Sequence, residues 1–240
     1  MDWRTRAIDY NNLQWVRDEG FLHALIDAAG FKKSDTVLCA GAGTGIAARC
    51  FVPLVHRIIG LDSSEAMLQR GAWEGISVVH WDLCDPLFVD ARFDKIVLRL
   101  VLHHISNPSV ALHQCYSILH PEGRIVVAEG IPPSDNAEVV SWFTEMFKLK
   151  EERIVFTPGS LTHLLSVCGF GDLKLHDYIM KDFSVVNWLK NSGLDHARQI
   201  EIYGVHLEAP PRVKVAYNMR TTGNDCLIDV HNLIITGGKL

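Results

Sequence analysis

Nowhere in its 240 residues does the chain approach the roughly 20 consecutive apolar residues that a membrane-spanning helix needs. The start, Met1-Asp2-Trp3-Arg4, has no apolar signal core. These two absences lead to the expectation of a soluble, cytoplasmic protein with no membrane partner. The six cysteines (Cys39, Cys50, Cys84, Cys115, Cys168 and Cys226) form no C-x-x-C pair and lie mostly in apolar surroundings, so reduced, buried thiols are expected. Twelve histidines are accompanied by no H-E-x-x-H and no Cys/His cluster, so no metal is expected. Cationic surplus is also missing. With 23 Lys and Arg against 28 Asp and Glu, the net charge is −5, which argues against a general nucleic-acid binder. A local basic pocket stays possible. There is no internal repeat and no low-complexity tract. A hydrophobic fraction of 48% is enough for one full core without staples.

Glycine is concentrated where it matters. In Val37-Leu38-Cys39-Ala40-Gly41-Ala42-Gly43-Thr44-Gly45, three glycines alternate directly after an apolar run. The run Thr36–Ala40 reads as a buried strand. Glycines follow a strand where the backbone needs unusual angles or must approach something closely. In an α/β unit that something is usually a nucleotide at the carboxyl ends of the strands.

The rest of the chain supports an α/β unit. Apolar spacing predicts a helix over Leu13–Ala29 with Gly30 as its stop, and another over Gly45–Val55. Strands are predicted at Val55–Leu61, Ile76–Trp81, Phe93–Leu100 and Gly123–Ala128. Between them lie helices at Ser63–Gln69, capped by Ser63 or Ser64, and at Val110–Leu119. Alternating short strands and helices imply a parallel sheet with right-handed crossovers. After Gly130 the pattern changes. Helices are predicted at Ala137–Glu152 and Ser160–Val167, a strand at Gly171–Ile179, then short helices at Val185–Lys190, Asp195–His206 and Val213–Arg220. Cys226–Thr236 closes the chain as an alternating strand after a turn at Thr222–Asp225.

Four further segments narrow the nucleotide. The glycines run G-x-G-x-G, where the dinucleotide fingerprint is G-x-G-x-x-G. Asp62 ends the second strand, 17 positions after Gly45, where a carboxylate can accept from both ribose hydroxyls. Asp82 lies just past the third strand in Val78-Val79-His80-Trp81-Asp82-Leu83, placed to accept from an adenine amino group with the Leu83 N–H nearby. "IVLRLVLHHISNP" leads from a strand to paired histidines. "LHPEGRIVVAEG" is a helix end, a turn and a strand. In this order the segments resemble the class I S-adenosylmethionine-dependent methyltransferases. The resemblance is to the small-molecule branch that includes the ubiquinone/menaquinone-biosynthesis C-methyltransferases and natural-product enzymes. It covers roughly Phe21 to Ala128. It implies a Rossmann-like, mostly parallel seven-stranded sheet with helices on both faces and an antiparallel last strand. It also implies S-adenosylmethionine as cofactor and S-adenosylhomocysteine as product.

On this reading residues 1–240 form one domain. Residues 1–20 are a lid and 21–130 the cofactor-binding core. Residues 131–180 and 224–240 complete the sheet, and 181–223 are a helical, substrate-side insert. The lid is expected to be polar, short on core residues and mobile without cofactor. The cofactor-binding residues are expected to be Tyr10, Gly41, Ala42, Gly43, Gly45, Asp62, Ser63, Met67, Asp82, Leu83 and Arg99. Met67 packs on adenine or serves the core; Tyr10 and Trp15 close over the cofactor or pack as an ordinary helix. Arg99, costly to bury unpaired, faces three partners: the cofactor carboxylate, a substrate anion, or Glu129. His103 and His104 are candidate catalytic bases, with His104 preferred, or else position the cofactor. Trp142, Phe143, Phe147, Trp188 and Tyr203 are candidates for an aromatic pocket. Trp142, Trp188, Tyr203 and His206 are the substrate candidates. The insert carries six Lys and Arg (Lys181, Lys190, Arg198, Arg212, Lys214 and Arg220) against four acids, a weak hint of an anionic substrate beside the plainer reading of a solvated face.

The expected reaction is in-line methyl transfer to a small molecule, by a monomer or homodimer. The alternative is a cyclase or lyase of the same fold that releases methylthioadenosine. A third possibility is a non-catalytic cofactor-binding subunit. The acceptor is not legible in the sequence.

Overall fold

A computed structural model of the chain describes residues 3–86 and 92–239. Met1, Asp2 and Leu240, the outer ends of the expected lid and of the last sheet segment, lie outside the described residues. The order of elements is α1 (Trp3–Asp9), α2 (Glu19–Ala29), β1 (Thr36–Ala40), α3 (Ile46–Phe51), β2 (Arg57–Asp62), α4 (Glu65–Gln69), β3 (Ile76–His80) and β4 (Phe93–Arg99). Then follow α5 (Pro108–Ile118), β5 (Leu119–Gly130), α6 (Ala137–Lys150), α7 (Pro158–Val167) and β6 (Phe170–Ser184). The chain ends with α8 (Val185–Lys190), α9 (His196–Leu207), α10 (Pro211–Ala216), β7 (Arg220–Thr222) and β8 (Asp225–Lys239).

The strands form one sheet in the order β3-β2-β1-β4-β5-β8-β6, with β7 paired to β8. β1 to β5 pair in parallel, and β8 runs antiparallel to both β5 and β6. The expected sheet is present, with one short strand more: β7 folds back on β8 through Gly223, pairing Thr222 with Asp225. Successive side chains of a strand point to opposite faces, and both faces of this sheet are covered. Val37, Cys39, Val97 and Val126 pack with Phe21, Leu25 and Phe51 on one side. Leu38, Ala40, Ile96, Leu98 and Val127 pack with Leu112, Leu161 and Leu165 on the other. That is why these strands read as continuous apolar runs.

Three expectations are corrected. The helix expected over Leu13–Ala29 is broken at Asp18, whose extended backbone (ψ 106°) makes it the N-cap of α2. Its carboxylate accepts the Phe21 N–H at 2.6 Å and the Tyr178 hydroxyl at 2.6 Å. The insert starts at Val185 because β6 runs on to Ser184. The N-terminal segment is better packed than its polarity suggested, since Arg6, Ala7, Leu13 and Val16 are all buried. Arg6 is buried because it reaches a carboxylate 145 positions away.

The strand order reverses between β1 and β4. The crevice at their carboxyl ends is where an open α/β sheet binds ligands.

Candidate active site

Two cavities meet at that crevice. The first follows the ends of β1, β2 and β3 and encloses about 960 Å³, part of it open to solvent. Gly41, Gly43, Asp62, Ser63, Met67, Asp82, Leu83, Arg99 and Tyr10 all line it. Asp62 is its most constrained acid. One carboxylate oxygen accepts the Gly43 N–H at 2.7 Å, and the other accepts the Ser64 N–H at 2.8 Å. Burial nevertheless raises its pKa above the ordinary carboxylate value, because two backbone donors only partly replace water. A carboxylate has about four acceptor positions, so Asp62 can take two more donors from the cleft. Asp82 is exposed at the rim, its side chain bonded to the Cys84 N–H at 2.8 Å. Met67 is buried and lines the cleft as well. The cap of α4 is Ser64, whose hydroxyl accepts the Met67 N–H, while Ser63 faces the cleft.

The three glycines are required by the loop itself. All three have positive φ: 72° at Gly41, 57° at Gly43 and 78° at Gly45. A Cβ on Gly41 would lie 2.3 Å from Val101 Cγ2, and one on Gly45 would lie 2.7 Å from the Trp73 ring. Gly43 alone combines a place in the cleft with an open Cβ position, 3.8 Å from the nearest atoms of Tyr10. Gly45 and Ala42 do not line the cleft; Ala42 lies behind the loop, in a smaller cavity with Thr44 and Val97. Both residues shape the loop from behind the cleft wall.

Arg99 does not pair with Glu129. Its Nη2 donates to the Trp15 carbonyl at 2.7 Å, and its guanidinium lies over Phe21 (4.9 Å) and Trp15 (5.6 Å). It ties the N-terminal segment to the sheet at the edge of the cleft. Glu129 instead receives the Val101 and Leu102 N–H groups at 3.1 and 2.7 Å, and His103 Nδ1 lies 2.5 Å from its other oxygen. His103 is therefore buried, and burial lowers its pKa despite Glu129.

His104 stands at the junction of the two cavities, with Trp3, Tyr10 and Leu100. The Trp3 ring meets it edge-on at 4.9 Å. Burial, and then His103, lower its pKa to about 2. An imidazole that releases its proton so readily cannot hold one at neutral pH. His104 fits a neutral positioning contact better than a general base. Leu100 was not found by sequence reasoning. It has φ 54°, rare for a branched apolar residue, at the point where both cavities open.

The second cavity, about 900 Å³ including its open mouth, lies beyond His104. Trp142, Phe143, Phe147, Trp188 and His206 line it, as do Phe183 and Tyr217. Tyr203 does not: its hydroxyl donates to the Asn224 carbonyl at 3.1 Å, toward the β7–β8 turn. The insert's cations also face elsewhere. Arg198, Arg212 and Arg220 pair with Glu201, Glu138 and Asp182 at the surface. Three cations that sequence reasoning missed surround Glu151 at the cavity wall. Arg6 Nη1 lies 2.9 Å and Lys150 Nζ 2.5 Å from its Oε2; Arg153 Nη1 is 3.6 Å from Oε1. Burial opposes the charge of Glu151, yet Lys150 and Arg6 hold its pKa well below the usual range. Burial and then Arg6 lower Lys150 to about 7. Ligand atoms of His103, His104 and Glu151 lie within 4.8 Å of one another. This donor set does not suit a metal, because Glu151 is already held by cations and His103 by Glu129.

Residues 38–127 match the family model for a methyltransferase domain. This part of the chain is thus similar to a methyltransferase domain. Over 130 residues the chain is 32% identical to a demethylmenaquinone methyltransferase of Tropheryma whipplei (strain Twist), covering 52% of this chain and 54% of that one. The chain thus spans about half the length of that curated relative. A putative methyltransferase of Bacillus halodurans shares the fold with a TM-score of 0.80 at 19% identity, covering 91% of this chain and 98% of its own. A [4+2]-cyclase shares it at 0.62 with 14% identity, over 92% of this chain and 80% of its own. These two likenesses carry the fold alone. Among the described residues no helix is long and apolar enough to cross a membrane.

Proposed function

We propose that the protein is a small-molecule methyltransferase whose cofactor lies in the cleft at Asp62 and whose acceptor lies in the aromatic cavity beyond His104. The observation that carries this reading is the junction. Trp3, Tyr10, Leu100 and His104 line both cavities, so two bound molecules would meet there. When bound, S-adenosylmethionine supplies an electrophilic methyl group. The residues fit it: Asp62 has acceptor positions to spare for ribose hydroxyls, Met67 and Leu83 offer apolar surface, and Asp82 offers an acceptor at the rim.

The chain's own residues hold the two partners in place and exclude water. Proximity and alignment supply much of the rate in such a transfer. His104, neutral at physiological pH, orients the acceptor. The acceptor then has to be a nucleophile in its own right, such as an amine, a thiolate, a phenolate or an enolate-like carbon. The segment from Trp3 to Arg17 acts as a lid, anchored by Arg6 on Glu151 and by Arg99 on Trp15.

Incubation with S-adenosylmethionine and a cell extract, with mass spectrometry of products, tests the reading. S-adenosylhomocysteine together with a molecule heavier by one methyl supports it. Methylthioadenosine without a methylated product favours the cyclase or lyase reading instead. In calorimetry, Asp62→Asn should weaken S-adenosylhomocysteine binding by tenfold or more, on the order of one to two lost hydrogen bonds to a charged group. Unchanged affinity would remove Asp62 from the site.

A further inference from the structure

The aromatic cavity has a polar end whose donors are not fully used. Arg153 turns Nη1 toward Glu151, while its Nε and Nη2 are buried with no hydrogen-bond partner. These two nitrogens form the side-on edge of the guanidinium, with parallel N–H groups spaced for the two oxygens of one carboxylate. The Phe147 ring stacks on the guanidinium at 4.1 Å and fixes its plane. The Tyr217 hydroxyl and His206 Nε2, also lining this cavity, are buried without partners too. Leaving such groups unpaired is costly. Four such atoms belong to three residues that line one cavity.

Charge points the same way. Arg6, Lys150 and Arg153 are three cationic side chains at this end of the cavity, against the carboxylates of Glu151 and Glu129. Glu129 is satisfied by two backbone N–H groups and His103. With Lys150 protonated, one positive charge is left over in an otherwise apolar cavity.

We infer that the molecule bound here is a small carboxylic acid with a flat apolar body, its carboxylate on the Nε/Nη2 edge of Arg153 and its body against Phe147, Trp142 and Trp188. This rests on the proposed function for the role of that molecule as methyl acceptor, but the binding claim stands on the cavity alone. The Tyr217 hydroxyl completes the polar end as a further donor, while His206, whose Nδ1–H goes to the Ile202 carbonyl, presents Nε2 as an acceptor beside it. A neutral acceptor would leave the Arg153 edge unpaired.

The test is calorimetry of the whole protein, with and without saturating S-adenosylhomocysteine. The probes are benzoate, phenylacetate and indole-3-acetate, each beside its neutral amide. At least one carboxylate should bind, and its amide at least about tenfold more weakly. Arg153→Gln should abolish that preference and leave S-adenosylhomocysteine affinity within about twofold. Arg153→Lys keeps the charge without the paired edge and should lose most of the preference, with an unchanged thermal melt as the control for folding. Binding of no carboxylate, equal binding of acid and amide, or a preference that survives both substitutions would overturn the inference. Failure of S-adenosylhomocysteine to bind would overturn the methyltransferase reading instead, because the probes report on the cavity by themselves.

Discussion

His103 Nδ1 and a Glu129 carboxylate oxygen lie 2.5 Å apart, both buried, at the point where β4 hands over to the cavity junction. The pair sets the tautomer: Nδ1 carries the hydrogen that Glu129 accepts, which leaves Nε2 as the acceptor. The other Glu129 oxygen takes two backbone N–H groups from the turn that carries both histidines. One carboxylate therefore positions Leu100, His103 and His104 together.

Glu129→Ala should destabilise the protein by about 3 kcal/mol or more, because it strands two backbone donors and a histidine in the interior. Glu129→Gln should cost about half as much. Its amide oxygen can still accept from Val101 and Leu102, and its amide nitrogen can meet His103 once the ring changes tautomer. Urea unfolding of the three proteins at neutral pH gives the comparison. Equal losses for Ala and Gln would show that the charge, and not the donor pattern, is what the turn requires.

The glycine loop separates two costs. Gly41→Ala must adopt a left-handed backbone and also push Val101 aside, so it should lose about 3 kcal/mol. Gly43→Ala meets only the backbone cost, about 1 to 2 kcal/mol, since its Cβ has room. Thermal melts rank the two. If Gly43→Ala proved the more damaging, the loop would be holding a contact that its geometry does not display.

Much of this was legible in the chain. Thr36–Ala40 and Phe93–Arg99 are buried on both faces, so their apolar runs announced themselves. Asp62, Met67, Asp82 and Leu83 could be placed at the cleft because they sit at fixed offsets from strand ends, a local property. The charged end of the aromatic cavity was not found, because it is a long-range assembly. Arg6 meets Glu151 from the other end of the sequence, and Arg153 lies in a stretch without regular structure. Only the segment Lys150-Glu151-Glu152-Arg153, charged directly after an aromatic helix, could have raised the question. The insert's own cations drew attention instead, and three of them, Arg198, Arg212 and Arg220, form surface pairs. The Asp18 break failed for another reason: apolar spacing continues across it, and a helix cap outweighed the periodicity.

Acid should weaken the fold below about pH 6.5. Burial lowers His206 to about 4, while in the unfolded chain it titrates near 6.5. Above pH 6.5 the ring is neutral in both states and contributes no pH dependence. As pH falls from 6.5 to 4, the unfolded chain takes up a proton that the folded one resists, and stability drops by about 3 kcal/mol from this group. His104, lowered to about 2, adds to the slope in the same direction. His206→Phe should remove part of the loss. Denaturant midpoints at pH 7.5, 5.5 and 4.5 for both proteins would measure it. A slope unchanged by the substitution would mean that other groups govern acid unfolding.

Carboxylate binding in the aromatic cavity should take up protons near neutral pH, and Lys150 is the group that does so. Its ammonium faces Glu151 at 2.5 Å and the rings of Trp188 and Phe147, with Arg6 and Arg153 as like charges and His104 beside them. Burial and Arg6 lower it to about 7, so at pH 7 it is roughly half protonated. His104 stays neutral across this range, and the Arg153 guanidinium keeps its charge. An incoming carboxylate favours the protonated form. Affinity should therefore be highest below pH 7 and fall as pH rises through 7 to 9. It should then level off without vanishing, because Arg153 still offers its paired edge. The fall is on the order of tenfold, the effect of one screened charge at close range. Calorimetry of the best-bound probe in two buffers of different ionisation enthalpy would show the proton uptake directly. Lys150→Met should bind that probe with the weaker, high-pH affinity at every pH. An affinity flat from pH 6 to 9 in the unsubstituted protein would place the carboxylate beyond the reach of Lys150. An affinity that rose with pH would contradict the positive surplus on which the assignment of an acidic ligand depends.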